Sequence, residues 1–160
     1  MIILGIDPGI ADTGYGIIKK DGDQYFLVDC GSLQTPAQNN LPTRLAKLHS
    51  LLNHIIKKYQ PDLVGVEELF FAKNVKTALT VAQARGVILL TASLGNCAVR
   101  EFTPLQIKQA LTGYGRADKN QVQQMVKRLL SLEKVPKPDD AADALAVALT
   151  TAATISTSSL

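Results

Sequence analysis

The first sixteen residues, MIILGIDPGIADTGYG, constrain the fold more than any other stretch of this chain. Residues 1–6 form a short apolar run rich in isoleucine, which is typical of a strand buried on both faces. Asp7 ends the run, Pro8-Gly9 indicates a turn, and a second apolar run begins at Gly14. The pattern predicts a hairpin that carries one carboxylate at the end of its first strand. Asp7 is either a turn-capping residue or a functional acid, and this stretch alone does not separate the two.

A second predicted strand, LVGVE, ends on an acid in the same way. Gly65 lies two residues before Glu67, as Gly5 lies two residues before Asp7. Because side chains alternate along a strand, each glycine shares a sheet face with its acid. A glycine there leaves room for another backbone to approach closely. The parallel predicts that Asp7 and Glu67 lie side by side on adjacent strands and face one packed element.

The remaining apolar patterns alternate strands with helices, as expected for an α/β protein. A third strand is predicted over residues 24–33 and another over 97–102, and the predicted helices span 42–59, 76–94, 104–111, 119–132 and residues from 139 onward. The helix over 76–94 is apolar on nearly every face, so it must be covered on both sides. We expect the sheet to cover one side and a second copy of the protein to cover the other.

The last predicted helix carries two carboxylates on one face. Asp140 and Asp143 are three residues apart, which places them about one turn from each other. For Asp140, capping and interaction with the helix dipole are an alternative explanation. Asp143 lies within an alanine-rich stretch whose small side chains suit packing against Gly5 and Gly65. We therefore expect its charge to point toward the sheet.

Four acids meet if this helix lies on the two strands that end in carboxylates. Carboxylates at such distances repel one another or take up protons unless cations are present. Carboxylates favour a hard divalent metal, most naturally Mg²⁺ with Mn²⁺ as a substitute, and the absence of nearby cysteine or histidine disfavours zinc. Two ions about 3.5–4 Å apart would clamp the attacking and leaving oxygens of a phosphodiester displacement. The predicted ligands are Asp7, Glu67, Asp140 and Asp143.

The basic charge is concentrated in one part of the chain. Residues 100–137 contain eight basic and three acidic side chains, while the whole chain has a net charge of +3. This asymmetry fits either a polyanionic partner or a solvated helix face. The loop TGYGRADK, with Arg116 and Lys119, is either a mobile connection or a contact to phosphates. We favour the phosphate contact for Lys119 because two glycines and Arg116 accompany it.

Four stretches together resemble one known family: GIDPG...TGYG, VEELFFAKN, GYGRADK and DDAADALAVAL. Over nearly the whole chain they are similar to the RuvC family of crossover (Holliday) junction endodeoxyribonucleases, within the ribonuclease H-like superfamily. By this resemblance the four acids match the family's catalytic metal ligands, and Lys119 matches a basic catalytic residue. Phe70 matches an aromatic residue thought to contact unstacked bases. The predicted DNA contacts are Phe70, Lys73, Lys108, Arg116 and Lys119.

The resemblance also implies an architecture and partners. It implies an α/β, ribonuclease H-like fold with a mixed five-stranded sheet and helices on both faces. It implies a homodimer that makes paired Mg²⁺-dependent nicks in a four-way DNA junction, leaving 5′-phosphate ends, in recombination and repair. A junction-binding protein and a branch-migration motor are the implied protein partners.

Length and hydropathy bear on organisation and location. A chain of 160 residues fits one domain, which we place at 1–152, with 153–160 as a frayed tail. We expect no segment of membrane-spanning length and no signal peptide, and therefore a cytoplasmic protein without a membrane partner.

Two alternative functions remain at this point. The opening GIDPG...TGYG also looks like the first phosphate loop of actin-like ATPases and sugar kinases, which would make the protein a phosphotransferase. Those folds need a duplicated domain and a second glycine-rich loop, for which the chain is too short. The other alternative is a junction-binding module that does not cleave, and the presence of all four acids argues against it.

Overall fold

The computed structural model describes residues 1–68 and 75–155. Within these ranges it contains five strands and five helices: three strands come first, helices and strands then alternate, and three helices come last. The strands are β1 (Ile2–Asp7), β2 (Asp12–Asp21), β3 (Gln24–Gln34), β4 (Leu63–Glu67) and β5 (Ala98–Phe102). The helices are α1 (Leu41–Tyr59), α2 (Val75–Leu94), α3 (Pro104–Thr112), α4 (Lys119–Leu129) and α5 (Asp139–Ala153).

The strands form one mixed sheet in the order β3-β2-β1-β4-β5. Strand β1 pairs antiparallel with β2 and parallel with β4, so it lies at the centre of the sheet. Its register with β4 pairs Gly5 with Gly65 and Ile6 with Val66. The acids that follow, Asp7 and Glu67, therefore end adjacent strands at the same edge. The predicted side-by-side placement of the two strands is confirmed.

Helix α5 lies directly on the glycines of the sheet. A Cβ atom added to Gly5 would lie 2.1 Å from the carbonyl oxygen of Ala144, and one added to Gly65 would lie 1.9 Å from Thr151 Oγ1. Gly14 on β2 makes the same close approach, 2.1 Å from a Cβ position to the carbonyl oxygen of Asp140. At Gly5 and Gly14 the atoms met are helix backbone, so no side chain fits there without moving the helix, whereas at Gly65 the atom met belongs to a side chain. The sequence prediction that a small-residue helix packs against Gly5 and Gly65 is confirmed.

Helices cover both faces of the sheet, as predicted. Helices α3, α4 and α5 pack on one face around residues such as Ile3 and Leu145, and α1 and α2 pack on the other around Leu4 and Leu52. Helix α5 is buried almost throughout. Helix α2 instead leaves a side uncovered, where Leu79, Leu90 and Leu94 are 62%, 57% and 66% exposed.

The structure describes the first three residues of the predicted C-terminal tail, 153–155. Helix α5 continues to Ala153, and the backbone amides of Thr154 and Ile155 bond to carbonyls of the last turn. Arg100 of β5 also donates hydrogen bonds to the carbonyl and hydroxyl oxygens of Thr154. These contacts hold residues 153–155 against the domain. Arg100 lies on β5 at the edge of the sheet, so its hydrogen bonds link Thr154 to the sheet. The rest of the predicted tail, 156–160, lies outside the described residues.

The expectation that no segment reaches membrane-spanning length is also corrected. Residues Thr77–Leu94 of α2 are long enough, with a mean hydropathy of 1.3, to cross a membrane by length and composition alone. The helix nevertheless packs on α1 and β5. Arg85, near its middle, forms an ion pair with Glu101 of β5. Within this fold, α2 is a packed helix of the α/β domain.

Candidate active site

Three carboxylates meet at the edge of the sheet where β1 ends. Asp7 leaves the end of β1, and Asp140 and Asp143 come from the first turns of α5. One carboxylate oxygen from each lies within 4.8 Å of the others. The close approach of Asp140 to Gly14 places the start of α5 over this strand end. The predicted convergence therefore holds for these three acids as a group, and Glu67 adjoins it through Asp7.

The electrostatics of Asp7 reflect this crowding. Burial, followed by the negative charges of Glu67 and Asp143, raises the pKa of Asp7 to about 8. Asp7 and Glu67 share a hydrogen bond, which adds to the rise in the pKa of Asp7. Burial also raises the pKa of Glu67, while the hydrogen bond from Asp7 and the positive charge of Lys108 oppose that rise. Ionising all of these carboxyl groups together is therefore unfavourable without a cation.

Lys119 lies against the acids and begins α4. Its Nζ is 3.0 Å from Asp143 Oδ2 and 3.7 Å from Asp139 Oδ2. The hydrogen bond to Asp143 is the largest cause of the raised pKa of Lys119. Asp118 fixes the start of the helix in a capping box, because its side chain accepts a hydrogen bond from the backbone N–H of Gln121. The structure thus brings Lys119 to the predicted site.

Asp7, Glu67 and Asp143 line one cleft with a volume of about 250 Å³, and Asp140 lies beside it, in the same carboxylate group. One part of its wall is acidic, and Lys108 from α3 and Lys119 from α4 contribute the cationic part. Four apolar or weakly polar residues complete the lining: Pro104, Ile107, Val122 and Ala146. The cleft can therefore accept a cation at the carboxylates and an anionic group at the lysines.

Other predicted contacts fall outside this cleft. Arg116 is exposed in the loop that joins α3 to α4, and it is not among the residues that line the cleft. Phe70 and Lys73 lie outside the described residues, so their roles stay predictions.

Asp12 is an acid near the site that the sequence interpretation missed. Its charge is the second cause, after burial, of the raised pKa of Asp140. Its Oδ1 accepts hydrogen bonds from Ser32 Oγ at 3.2 Å and Gln34 Nε2 at 2.9 Å. The alternation of side chains along β2 could have identified it in the sequence. Asp12 lies two residues before Gly14, so it shares the sheet face on which α5 packs.

The donor set fits a hard divalent cation. The group of Asp7, Asp140 and Asp143 offers only carboxylate oxygens, which Mg²⁺ and Mn²⁺ prefer. The raised pKa values of Asp7 and Asp140 follow partly from mutual repulsion, which a bound cation would relieve. The site is therefore able to hold a divalent metal.

A mixed sheet of this order, with acids at adjoining strand ends and on the helix that crosses them, defines the class as a ribonuclease H-like nuclease. The family model for the crossover junction endodeoxyribonuclease RuvC matches residues 3–151. The chain belongs to the RuvC family.

Individual relatives agree with this assignment over almost the full length of both proteins. A RuvC of Caldicellulosiruptor saccharolyticus is 57% identical over 150 residues, which cover 93% of this chain and 90% of that protein. The Thermus thermophilus RuvC structure has a TM-score of 0.89 at 35% identity, covering 96% of this chain and 94% of its own. The same RuvC in complex with a Holliday junction substrate has a TM-score of 0.87 at 33% identity, with the same coverage. The predicted recognition, fold class and enzyme class are confirmed.

Proposed function

We propose that this protein resolves four-way DNA junctions in recombination and repair, by Mg²⁺-dependent hydrolysis of one phosphodiester bond in each of two strands. The products would carry 5′-phosphate ends. The observation that carries the proposal is the group of Asp7, Asp140 and Asp143, with oxygens within 4.8 Å of one another in a RuvC-family chain. The junction bound to the T. thermophilus relative supports the choice of substrate.

The acidic and basic side chains of the site would have different roles. Asp7, Glu67, Asp140 and Asp143 would hold Mg²⁺, or Mn²⁺ in its place. When bound, the metal supplies Lewis acidity and an activated water for phosphodiester hydrolysis, with two ions expected during catalysis. Lys119 and Lys108 would bind the phosphate next to the carboxylates, because both line the cleft and Lys119 is already oriented by Asp143.

A homodimer is the proposed assembly, through the uncovered side of α2. Leu79, Gly86 and Leu90 are exposed and recur at spacings of seven and four residues, so they share one face of the helix. An apolar stripe of this kind on a soluble protein marks a contact surface. A two-fold assembly would also present two equivalent clefts to two equivalent DNA strands.

Further contacts follow from the family resemblance. Phe70, Lys73 and Arg116 are proposed to touch the junction outside the cleft. A junction-binding protein and a branch-migration motor are the proposed protein partners, and the cytoplasm is the proposed location.

A metal titration on defined DNA tests the proposal. Purified protein is incubated with a synthetic four-way junction, a linear duplex and a single strand of matched sequence, with Mg²⁺ or Mn²⁺ varied from zero. We expect cleavage of the junction alone, with rates that rise with metal. Ligation of the nicked products by DNA ligase would establish 5′-phosphate ends. Junction binding without cleavage across the titration would contradict the proposal and favour the non-cleaving module.

A further inference from the structure

The outer surface of α4 has an unusual composition for a solvated helix. Two rows of residues four apart run along it, Lys119-Gln123-Lys127 and Asn120-Gln124-Arg128, and every member is a cation or an amide. Solvated helix surfaces ordinarily mix both signs of charge, whereas α4 contains no carboxylate. The nearest acid, Asp118, is occupied in the N-cap. We call the part of these rows beyond Lys119 the α4 track: Asn120, Gln124 and Arg128, which are exposed, and Gln123 and Lys127, which are partly buried.

The α4 track begins next to the active-site cleft, since its first residue, Asn120, follows Lys119. Lys119 and Val122 line the cleft itself. The next groove, of about 340 Å³, is lined by Asn120 and Gln124 together with Tyr114. A third groove, of about 440 Å³, is lined by Gln124, Lys127 and Arg128. Gln124 belongs to both outer grooves, so these two grooves adjoin each other along the helix.

The two cations at the far end of the track are available to a partner. Lys127 and Arg128 form no ion pair with any residue in the described part of the chain, whereas Lys119 and Lys137 are paired with aspartates. The inner side of the helix is anchored because Val122 and Val126 are buried. The track is therefore a fixed row of hydrogen-bond donors with two unneutralised charges at its end.

We infer that the α4 track binds the sugar–phosphate backbone of a duplex arm that leaves the cleavage site. Amide and cationic side chains are the groups that proteins use to hold phosphate oxygens without reading sequence. From Lys119 to Arg128 the helix advances about 14 Å, which corresponds to about four base pairs of duplex. The inference rests on the proposed function, since it takes the scissile phosphate to lie in the cleft.

Salt dependence of binding measures these contacts. The variant Lys127→Ala/Arg128→Ala is compared with Lys47→Ala/Lys57→Ala, which removes the same charge from exposed positions of α1 on the opposite face of the sheet. Anisotropy of a labelled four-way junction is recorded in EDTA over a range of salt concentrations. We expect the slope of log affinity against log salt to decrease by about 1–2 for the α4 variant, and to be unchanged for the α1 variant.

Neutral phosphates locate the contact on the DNA. Methylphosphonates are placed in the junction three to five nucleotides from the cut, on either side in separate substrates, and at a distant arm position as a control. On one side we expect the wild-type protein to lose affinity for the modified DNA, and the Lys127→Ala/Arg128→Ala variant to lose nothing further. The methylphosphonate at the distant position should change the junction affinity of the two proteins equally.

The outcomes separate this inference from the proposed function. Wild-type protein that neither prefers nor cleaves junctions would overturn both. Wild-type protein that cleaves junctions, together with an α4 variant whose salt slope matches the α1 control, would overturn the inference alone. The inference would also be overturned if the affinity lost through the methylphosphonate and the affinity lost through the α4 variant were additive at every position. A direct contact predicts that they are not additive at one position, because both changes then remove the same interaction. Circular dichroism melting of each variant verifies that it is folded.

Discussion

Helices α5 and α2 are both long and largely apolar, yet they occupy opposite environments. In α5, residues 141–152 are buried with the exception of Asp143. In α2, the buried side chains within the described range 77–94 are Ala84, Ile88, Thr91 and Ala92, while leucines on the other side are exposed. Similar apolarity therefore leads to a central core helix in one case and to a half-covered helix in the other.

The difference lies in what each helix meets. Helix α5 packs against β1, β2, α3 and α4, and the glycines beneath it allow its backbone to touch the sheet. That depth brings Asp143 beside Asp7. Helix α2 packs on α1 and β5, and within the described residues nothing covers its outer stripe. One apolar helix positions the carboxylates of the site, and the other leaves an apolar stripe exposed.

The largest expected effect follows from removing charge from α5. Asp143→Asn should abolish junction cleavage, a loss of more than the 10–100-fold that follows removal of residues that merely support a metal. Junction binding in EDTA should persist. Asp139→Asn, four residues earlier and exposed, is the matched control and should retain most activity. Cleavage by Asp143→Asn at the wild-type rate would remove this residue from the site.

The next effect concerns the exposed side of α2. Leu79→Glu/Leu90→Glu should convert the proposed dimer into a monomer, because charge would be buried at the subunit contact. Analytical ultracentrifugation measures the change. Leu105→Glu on α3, where the leucine is 60% exposed, is the control and should leave the dimer intact. A wild-type protein that sediments as a monomer at micromolar concentration would refute the proposed assembly.

Two glycine-to-alanine substitutions compare how closely α5 and α2 are packed, through their effects on the free energy of unfolding. Gly5→Ala should destabilise the protein by about 1–3 kcal/mol, because the new Cβ would meet the backbone of α5. Gly86→Ala in α2 has no atom within 4 Å of the new Cβ and should raise stability by about 0.5–1 kcal/mol through helix propensity. Urea unfolding measures both. A destabilising Gly86→Ala would instead place this residue in close contact with the second copy.

A pH dependence of stability is expected from the carboxyl groups under α5. In the folded chain the pKa of Asp7 is raised from 3.8 to about 8, so the folded state keeps a proton that the unfolded state releases. Without metal, the stability present below about pH 4 should decline as the pH rises to about 8. Asp7→Asn should flatten this decline, and Mg²⁺ should reduce it. Urea unfolding in EDTA at several pH values tests the sign, and a rise in stability toward alkaline pH would contradict it.

Much of the site was visible in the sequence because regular geometry relates residues within one element. The repeated spacing of Gly5 to Asp7 and Gly65 to Glu67 predicted both the shared sheet face and the packed helix. The spacing of Asp140 and Asp143 predicted one shared helix face. The ion pair of Lys119 with Asp143 was not predictable, because it joins two helices through a loop whose path depends on tertiary packing.

The sequence by itself determined the strands, the helices and the positions of the acids within them, since period and glycine placement are local properties. Only the tertiary structure decided that α5 reaches the sheet at backbone contact and that α2 stays half exposed. It also showed that Asp12 approaches Asp140 and that Arg100 bonds to Thr154. Burial depends on which neighbours surround a helix, and that information is distributed over the whole fold.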